Sequence, residues 1–275
     1  MENESPASVS ALMAAAARAA HSLVDDPPHL LVDDVASRIC RSMPASPLDY
    51  HLAHPREPVL AAARLSACAR AKFAADALRA SRLSECVLLA AGLDQLAGLD
   101  PGARCWAVDL PDVLAWRARV CEQAMVADPC RAVPADLAGG DLLARLVASG
   151  LDPGRPVFVA WLGGSMYLPA SQARAVLEQL AGLPAGTALV FDHILPARDR
   201  DAAGRRYAQA LAGAMGGREP WRCVPSPDEV TGWLADAGWR VARSVDEAQA
   251  VPAGFWDRRD ALHPMRLVRL LHAVR

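Results

Sequence analysis

The sequence predicts an α/β fold: a mostly parallel sheet covered by helices on both faces, preceded by a helical segment over residues 1–84. Three observations predict it. From Glu85 onward, short apolar runs alternate with helix-length stretches, as expected of strands buried on both faces and joined by crossover helices. The first 84 residues lack that alternation. They read instead as helices over 7–24, roughly 30–42 and 57–80, separated by Pro27-Pro28, Pro44, Pro47, Pro55 and Pro58.

The elements follow in order. Residues 86–91 form the first strand and 104–109 the second, ending in Asp109. A helix over 111–122 starts on Pro111, a residue suited to a first helical turn. The third strand is 130–135, followed by a helix over 141–149 that Gly150 stops. The fourth strand is 156–162, the next helix 169–183 and the fifth strand 187–193. A helix over 228–237 ends at Gly238, and strands six and seven occupy 239–245 and 266–274. Residues 196–225, with Gly204, Gly213, Gly216-Gly217 and Pro220, read as an irregular insertion. With residues 1–84 it is expected to form a lid over the carboxyl edge of a catalytic domain spanning 85–275. That edge is where open α/β sheets bind ligands.

The chain has 275 residues, enough for one large domain with a cap. It is 53% hydrophobic, with 29 basic and 31 acidic residues and a net charge of -2, which excludes disorder and a broadly basic nucleic-acid surface. Lys72 is the only lysine among many arginines. The seven cysteines, Cys40, Cys68, Cys86, Cys105, Cys121, Cys130 and Cys223, contain no CxxC pair. They are expected to be free buried thiols in a reducing compartment, too dispersed for a zinc site. The N-terminus is acidic where a signal peptide is basic, and the Ala-rich stretch 9–20 carries Arg18 and is too short to span a bilayer. A soluble, cytoplasmic protein with no membrane partner is the expectation.

Five segments carry candidate chemistry. Gly92, in the turn after strand one, lets the backbone approach a ligand or merely turns the chain. The full glycine fingerprint of a dinucleotide site is absent. Asp109, 17 residues after Gly92, suits a ribose diol, or the cap of the following helix. Asp136-Leu137, after strand three, suits a nucleobase edge or another helix cap. Arg70 and Lys72 point to different faces of a regular helix, so only an irregular turn brings both to one carboxylate. Gly163-Gly164-Ser165-Met166-Tyr167-Leu168-Pro169 follows strand four and forms either a ligand-facing loop or a turn with Tyr167 in the core.

Taken together, Arg70/Lys72/Phe73/Asp76, Gly92-Leu93-Asp94, Asp109, Asp136-Leu137 and Met166-Tyr167-Leu168-Pro169 resemble the leucine carboxyl methyltransferase-like group. This is a group of class I S-adenosylmethionine (SAM) dependent methyltransferases whose bacterial members are often linked to secondary-metabolite pathways. The resemblance runs from about His29 to the C-terminus. It implies a Rossmann-like, seven-stranded sheet with an antiparallel last strand. It also implies that Arg70, supported by Lys72, binds the SAM carboxylate, that Asp109 holds the ribose and that Asp136 and Leu137 frame the adenine. Ala91 and Gly92 would pass close to the methionine portion, with Asp94, Leu110 and Gly163 completing the cofactor set. Three positions depart from the family pattern. Ala90 replaces a glycine, Gln95-Leu96 replaces Thr-Arg, and Leu162 stands where an acid would help hold the SAM amino group.

The implied reaction is an in-line displacement at the sulfonium methyl, governed by positioning and exclusion of water. The acceptor would be a small molecule or a peptide. A carboxylate acceptor needs no base, whereas a hydroxyl or amine can need one. His193, at the end of strand five, is the candidate base, and Tyr167 a candidate for orienting the acceptor. His51 and His54 could line the acceptor pocket. The competing readings are a repurposed member of the fold that binds SAM weakly or not at all and acts as a non-methylating catalyst or partner-binding protein, and a nicotinamide oxidoreductase, which the incomplete glycine fingerprint disfavours. The near-neutral charge and few aromatics disfavour a nucleic-acid methyltransferase.

Overall fold

A computed structural model describes residues 5–94, 96, 103–214 and 220–275. Four helices come first: α1 (Pro6–Val24), α2 (Asp34–Arg41), α3 (Pro47–Ala53) and α4 (Pro58–Ser81). Two of the prolines that divide this region, Pro47 and Pro58, start helices, as does Pro6. Pro6, Pro47 and Pro58 sit in first turns, and the side chains of Ser5, Ser46 and Glu57 accept from backbone N–H groups there. α3 is a helix the sequence reading did not resolve, because its seven residues are too few for a periodicity to register.

The sheet and its helices follow: β1 (Glu85–Leu89), β2 (Arg104–Asp109), α5 (Pro111–Gln123), β3 (Cys130–Pro134), α6 (Leu142–Ala148), β4 (Phe158–Trp161), α7 (Ala170–Leu180) and β5 (Ala188–Ile194). Then come α8 (Ala202–Ala214), α9 (Pro227–Asp236), β6 (Arg240–Asp246), α10 (Glu247–Ala250) and β7 (Val268–Val274). The insertion over 196–225 is therefore not irregular throughout. α8 runs through it and packs so closely that a Cβ on Gly204 would lie 2.3 Å from the Arg266 carbonyl oxygen.

The strand order is β3-β2-β1-β4-β5-β7-β6. β1 to β5 pair in parallel, and β7 runs antiparallel to both β5 and β6. The seven-stranded sheet with an antiparallel last strand is thus present as expected.

Strand alternation divides the core in two. On one face Val87, Leu89, Val159, Trp161, Leu189 and Phe191 pack with α7 and α9. On the other Cys86, Leu88, Phe158, Ala160 and Val190 pack with Phe73, Ala74 and Leu78 of α4. α4 is accordingly a layer of the sheet domain. α1 and α2 form a separate cluster with α5.

α1, at 19 residues, is longer than the 9–20 stretch suggested, and its length and apolarity alone would suffice to cross a bilayer. Half of its apolar window is buried in protein. The cysteine expectation also needs correction: Cys105 and Cys130 face each other in register on β2 and β3 and are joined as a disulfide. The other five are free and buried.

Candidate functional site

The site begins where β1 ends. The Ala91 N–H donates to the Val108 carbonyl, and the chain then turns sharply through Gly92 at φ +44°. Ala90 also has a left-handed φ, +49°, a conformation that costs an L-residue on the order of 1 kcal/mol. This explains why a glycine suits that position. Its Cβ is accommodated by Gly164, where a Cβ would come within 2.6 Å of it.

Asp109, at the end of β2, reaches back to this turn. Oδ2 accepts from the Gly92 N–H at 2.8 Å and Oδ1 from the Leu110 N–H at 2.8 Å. Burial pushes its carboxyl up from the usual range, and the two backbone donors oppose that shift. Each oxygen retains a lone pair for a further donor. The carbonyls of the turn are held by two buried arginines that the sequence reading did not single out. Arg117 Nη1 donates to Gly92 and Asp94, and Arg18 Nη2 donates to Leu93. Asp128 and Asp33 pair with them. Asp94 turns its own carboxylate to the Leu96 N–H, and Gln95 lies outside the described residues.

The second half of the site comes from α4, β4 and β5. Arg70 projects from α4 toward the loop after β4. A Cβ on Gly163, which has φ +68°, would lie 3.3 Å from Arg70 Nη2. The Gly163 N–H donates to Asp192 Oδ1 at 2.7 Å, and Asp192 Oδ2 lies 3.8 Å from Arg70 Nη1. Asp192 is fully buried, and apart from that ion pair its Oδ2 has no hydrogen-bond partner among the described residues. A carboxylate inside a run of seven buried strand residues is itself an unusual sequence signal, one the sequence reading passed over. Glu247, at the start of α10, is a second fully buried acid, and among the described residues neither of its oxygens has a partner within hydrogen-bond geometry. Burial pushes it up to about 8, with Ser66 and Arg70 acting in the opposite direction.

Other predicted residues fall elsewhere. Lys72 does not join Arg70, because α4 is regular there and turns Lys72 to Asp76 at 2.8 Å. Asp136 is exposed and caps the short turn Leu137–Gly139 through the Ala138 N–H, while Leu137 is buried beside it. Leu110 is partly exposed next to Asp109. Tyr167 is 39% exposed, so it is no core residue, and its hydroxyl lies 3.4 Å from Ser10 Oγ of α1. α1 also presses Ala11 against the turn, where a Cβ on Gly92 would come within 2.8 Å.

The histidine expectations are corrected. His193 is one residue from Asp192, so strand alternation turns it to the opposite face, where it lies near Phe191. It is 2% exposed, and burial lowers it to about 4, unsuited to a base at neutral pH. His51 is buried beside Arg64 and is likewise lowered to about 4, and His54 lies at the surface against Tyr50. A cavity of about 340 Å³ opens between α5 and β2–β3, but neither Arg70, Asp109 nor Gly163 lines it.

The sheet order and the antiparallel β7 define the Rossmann-like fold of class I methyltransferases. The chain belongs to the leucine carboxyl methyltransferase family, whose model matches residues 11–181. It is 31% identical to a Frankia alni protein named "Putative S-adenosyl-L-methionine-dependent methyltransferase" over 64% of this chain. That match covers 62% of the Frankia protein, less than two thirds of its length. A Mycolicibacterium gilvum protein of the same name is 31% identical, with 84% of this chain and 81% of that protein aligned. Among solved structures, a DUF574 family protein from Streptomyces avermitilis superposes with a TM-score of 0.60 at 15% identity, covering 94% of this chain and 96% of that one.

Proposed function

We propose that this protein is a SAM-dependent methyltransferase that methylates an oxygen, carboxyl or hydroxyl, on a small molecule or peptide. The observation that carries the reading is the pairing of two half-sites at one sheet edge. Asp109 stands against the Gly92 turn, and Arg70 stands against Gly163. The residues fit the cofactor. The guanidinium suits its carboxylate, Asp109 suits a ribose diol, and a buried carboxylate oxygen of Asp192 awaits a donor.

When bound, SAM supplies an electrophilic methyl group on a sulfonium. Arg70 and Asp109 would fix the two ends of the molecule, and α1 with Tyr167 would exclude water. Asp136 and Leu137 remain the residues proposed for the adenine. With His193 on the other face, a carboxylate acceptor is the better fit, because it arrives as an anion and needs no deprotonation. The second reading, a repurposed fold that does not methylate, is favoured by Ala90, Leu162 and the close seat of Ala11 on Gly92.

Calorimetry with SAM and with S-adenosylhomocysteine separates the two. Micromolar binding that Asp109→Ala weakens by about 10- to 100-fold is expected, as for hydrogen bonds to a charged acceptor. No heat with either ligand would put the second reading first. His193→Gln is expected to leave the transfer rate of the folded enzyme unchanged. A fall of about 100-fold, the usual cost of a lost base, would restore His193 to the mechanism.

A further inference from the structure

The loop after β4, residues 162–169, carries no side-chain carboxylate of its own. A carboxylate on the neighbouring strand, β5, reaches this loop. Asp192 binds the N–H of Gly163, the residue that follows Leu162, at 2.7 Å through Oδ1. Its Oδ2 faces the Arg70 guanidinium at 3.8 Å, too long for a hydrogen bond, and has no other partner among the described residues. Arg70 also lies against Gly163, so one small region presents a cation and an anion, each with unused hydrogen-bonding capacity. An α-amino acid zwitterion is the complement of such a pair. Its carboxylate suits the planar fork of Arg, and its ammonium suits a carboxylate oxygen.

We propose that Asp192 receives, through Oδ2, the α-ammonium group of the methionine portion of SAM, while Arg70 holds the carboxylate. The inference rests on the reading of this edge as a SAM site. Gly163 is required in two ways. Its N–H orients Asp192, and a side chain there would meet the guanidinium. Burial pushes the Asp192 carboxyl up, and the Arg70 guanidinium and the Gly163 N–H oppose that shift. Of the two buried acids, Asp192 is the one that binds the loop after β4.

The test compares three ligands by calorimetry: S-adenosylhomocysteine, its analogue lacking the α-amino group, and 5′-methylthioadenosine, which lacks the whole amino-acid portion. The wild type is expected to bind S-adenosylhomocysteine at least about 10-fold more tightly than the deaminated analogue, the lower range for a charge-assisted hydrogen bond. Asp192→Asn keeps the volume and can still accept from Gly163. It should erase that preference and leave 5′-methylthioadenosine binding unchanged. An unaltered preference in Asp192→Asn overturns the proposal.

Leu162→Glu provides a reading independent of how Asp192→Asn folds. With Asp192 already supplying the anion, the new acid should leave the preference for the amino-bearing ligand unchanged or lower it. A rise of about 10-fold or more would mean that the ammonium has no anionic partner in the wild type, and would overturn the assignment. Absence of binding by all three ligands to the wild type would defeat the SAM reading itself, an outcome distinct from loss of discrimination.

Discussion

Replacing Arg64 by methionine should cost about 3–5 kcal/mol of folding stability, the usual loss when one partner of a buried ion pair is removed. Arg64 on α4 is fully buried, and so is Asp25 at the end of α1. The guanidinium donates to both oxygens of Asp25, at 2.9 and 2.8 Å, and to the Pro55 carbonyl at 2.6 Å. His21 completes the network. Its Nε2 accepts from the Leu30 N–H, so its Nδ1 carries the proton that is donated to Asp25. Methionine fills the volume but leaves Asp25 charged, buried and short of donors. The urea midpoint should fall with little change in slope. A loss under about 1 kcal/mol would mean that water reaches the pair. Asp25→Asn combined with Arg64→Met should recover part of the loss, since it also removes the stranded charge. The effect extends to the site, because α1 carries Ala11 and Ser10 to the Gly92 turn and to Tyr167.

Glu247→Gln should make the protein less sensitive to alkaline pH. The folded state holds this carboxyl up to about 8, against an ordinary value of 4.5. Between those values the unfolded chain releases the proton and the native state keeps it. Native stability therefore falls as pH rises through that window, at a limiting rate of about 1.4 kcal/mol per pH unit. A fully buried group gives an effect on the order of 3 kcal/mol between about pH 5 and 8. Glutamine has no proton to lose, so relative to wild type the variant should gain stability steadily over that range. Urea midpoints at pH 5, 6.5 and 8 read this directly. Parallel curves for the two proteins would show that Glu247 titrates near its ordinary value.

His51 and His193 act with the opposite sign. Both are lowered to about 4, so their contribution is lost as pH falls from about 6.5 toward 4. Those losses are common to both proteins and cancel in the comparison. Ionised Glu247 would also compete with Asp192 for Arg70, so weaker S-adenosylhomocysteine binding above pH 8 is expected in the wild type alone.

What could be read directly was local. The inner strands carry dense apolar runs, and each of the seven predicted strands coincides with an observed one to within two residues at either end, although β6 carries Arg240, Arg243 and Asp246. Pro111 starts a helix where a missing N–H costs nothing, and Gly92 and Gly163 adopt the left-handed φ that glycine favours. Asp109 is fixed by strand two ending beside the Gly92 turn, a relation that sequence spacing alone conveys. Arg70 and Lys72 were separable on helix geometry, and the structure separates them.

What the sequence could not convey was non-local. Whether Asp192 or His193 faces Arg70 depends on strand register, and a shift of one residue exchanges them. Arg18 and Arg117 appear as ordinary charges until α1 and α5 fold onto the Gly92 turn and make its carbonyls their partners. Glu247 lies 177 positions from Arg70, and packing of α10 on α4 buries it. The sequence by itself determined the class of fold and the turn-and-acid signature at the ends of β1 and β2, because periodicity and backbone preference act over a few residues. Only the tertiary structure decided which charges lose their water and meet at one sheet edge, because desolvation and pairing depend on groups brought together from distant parts of the chain.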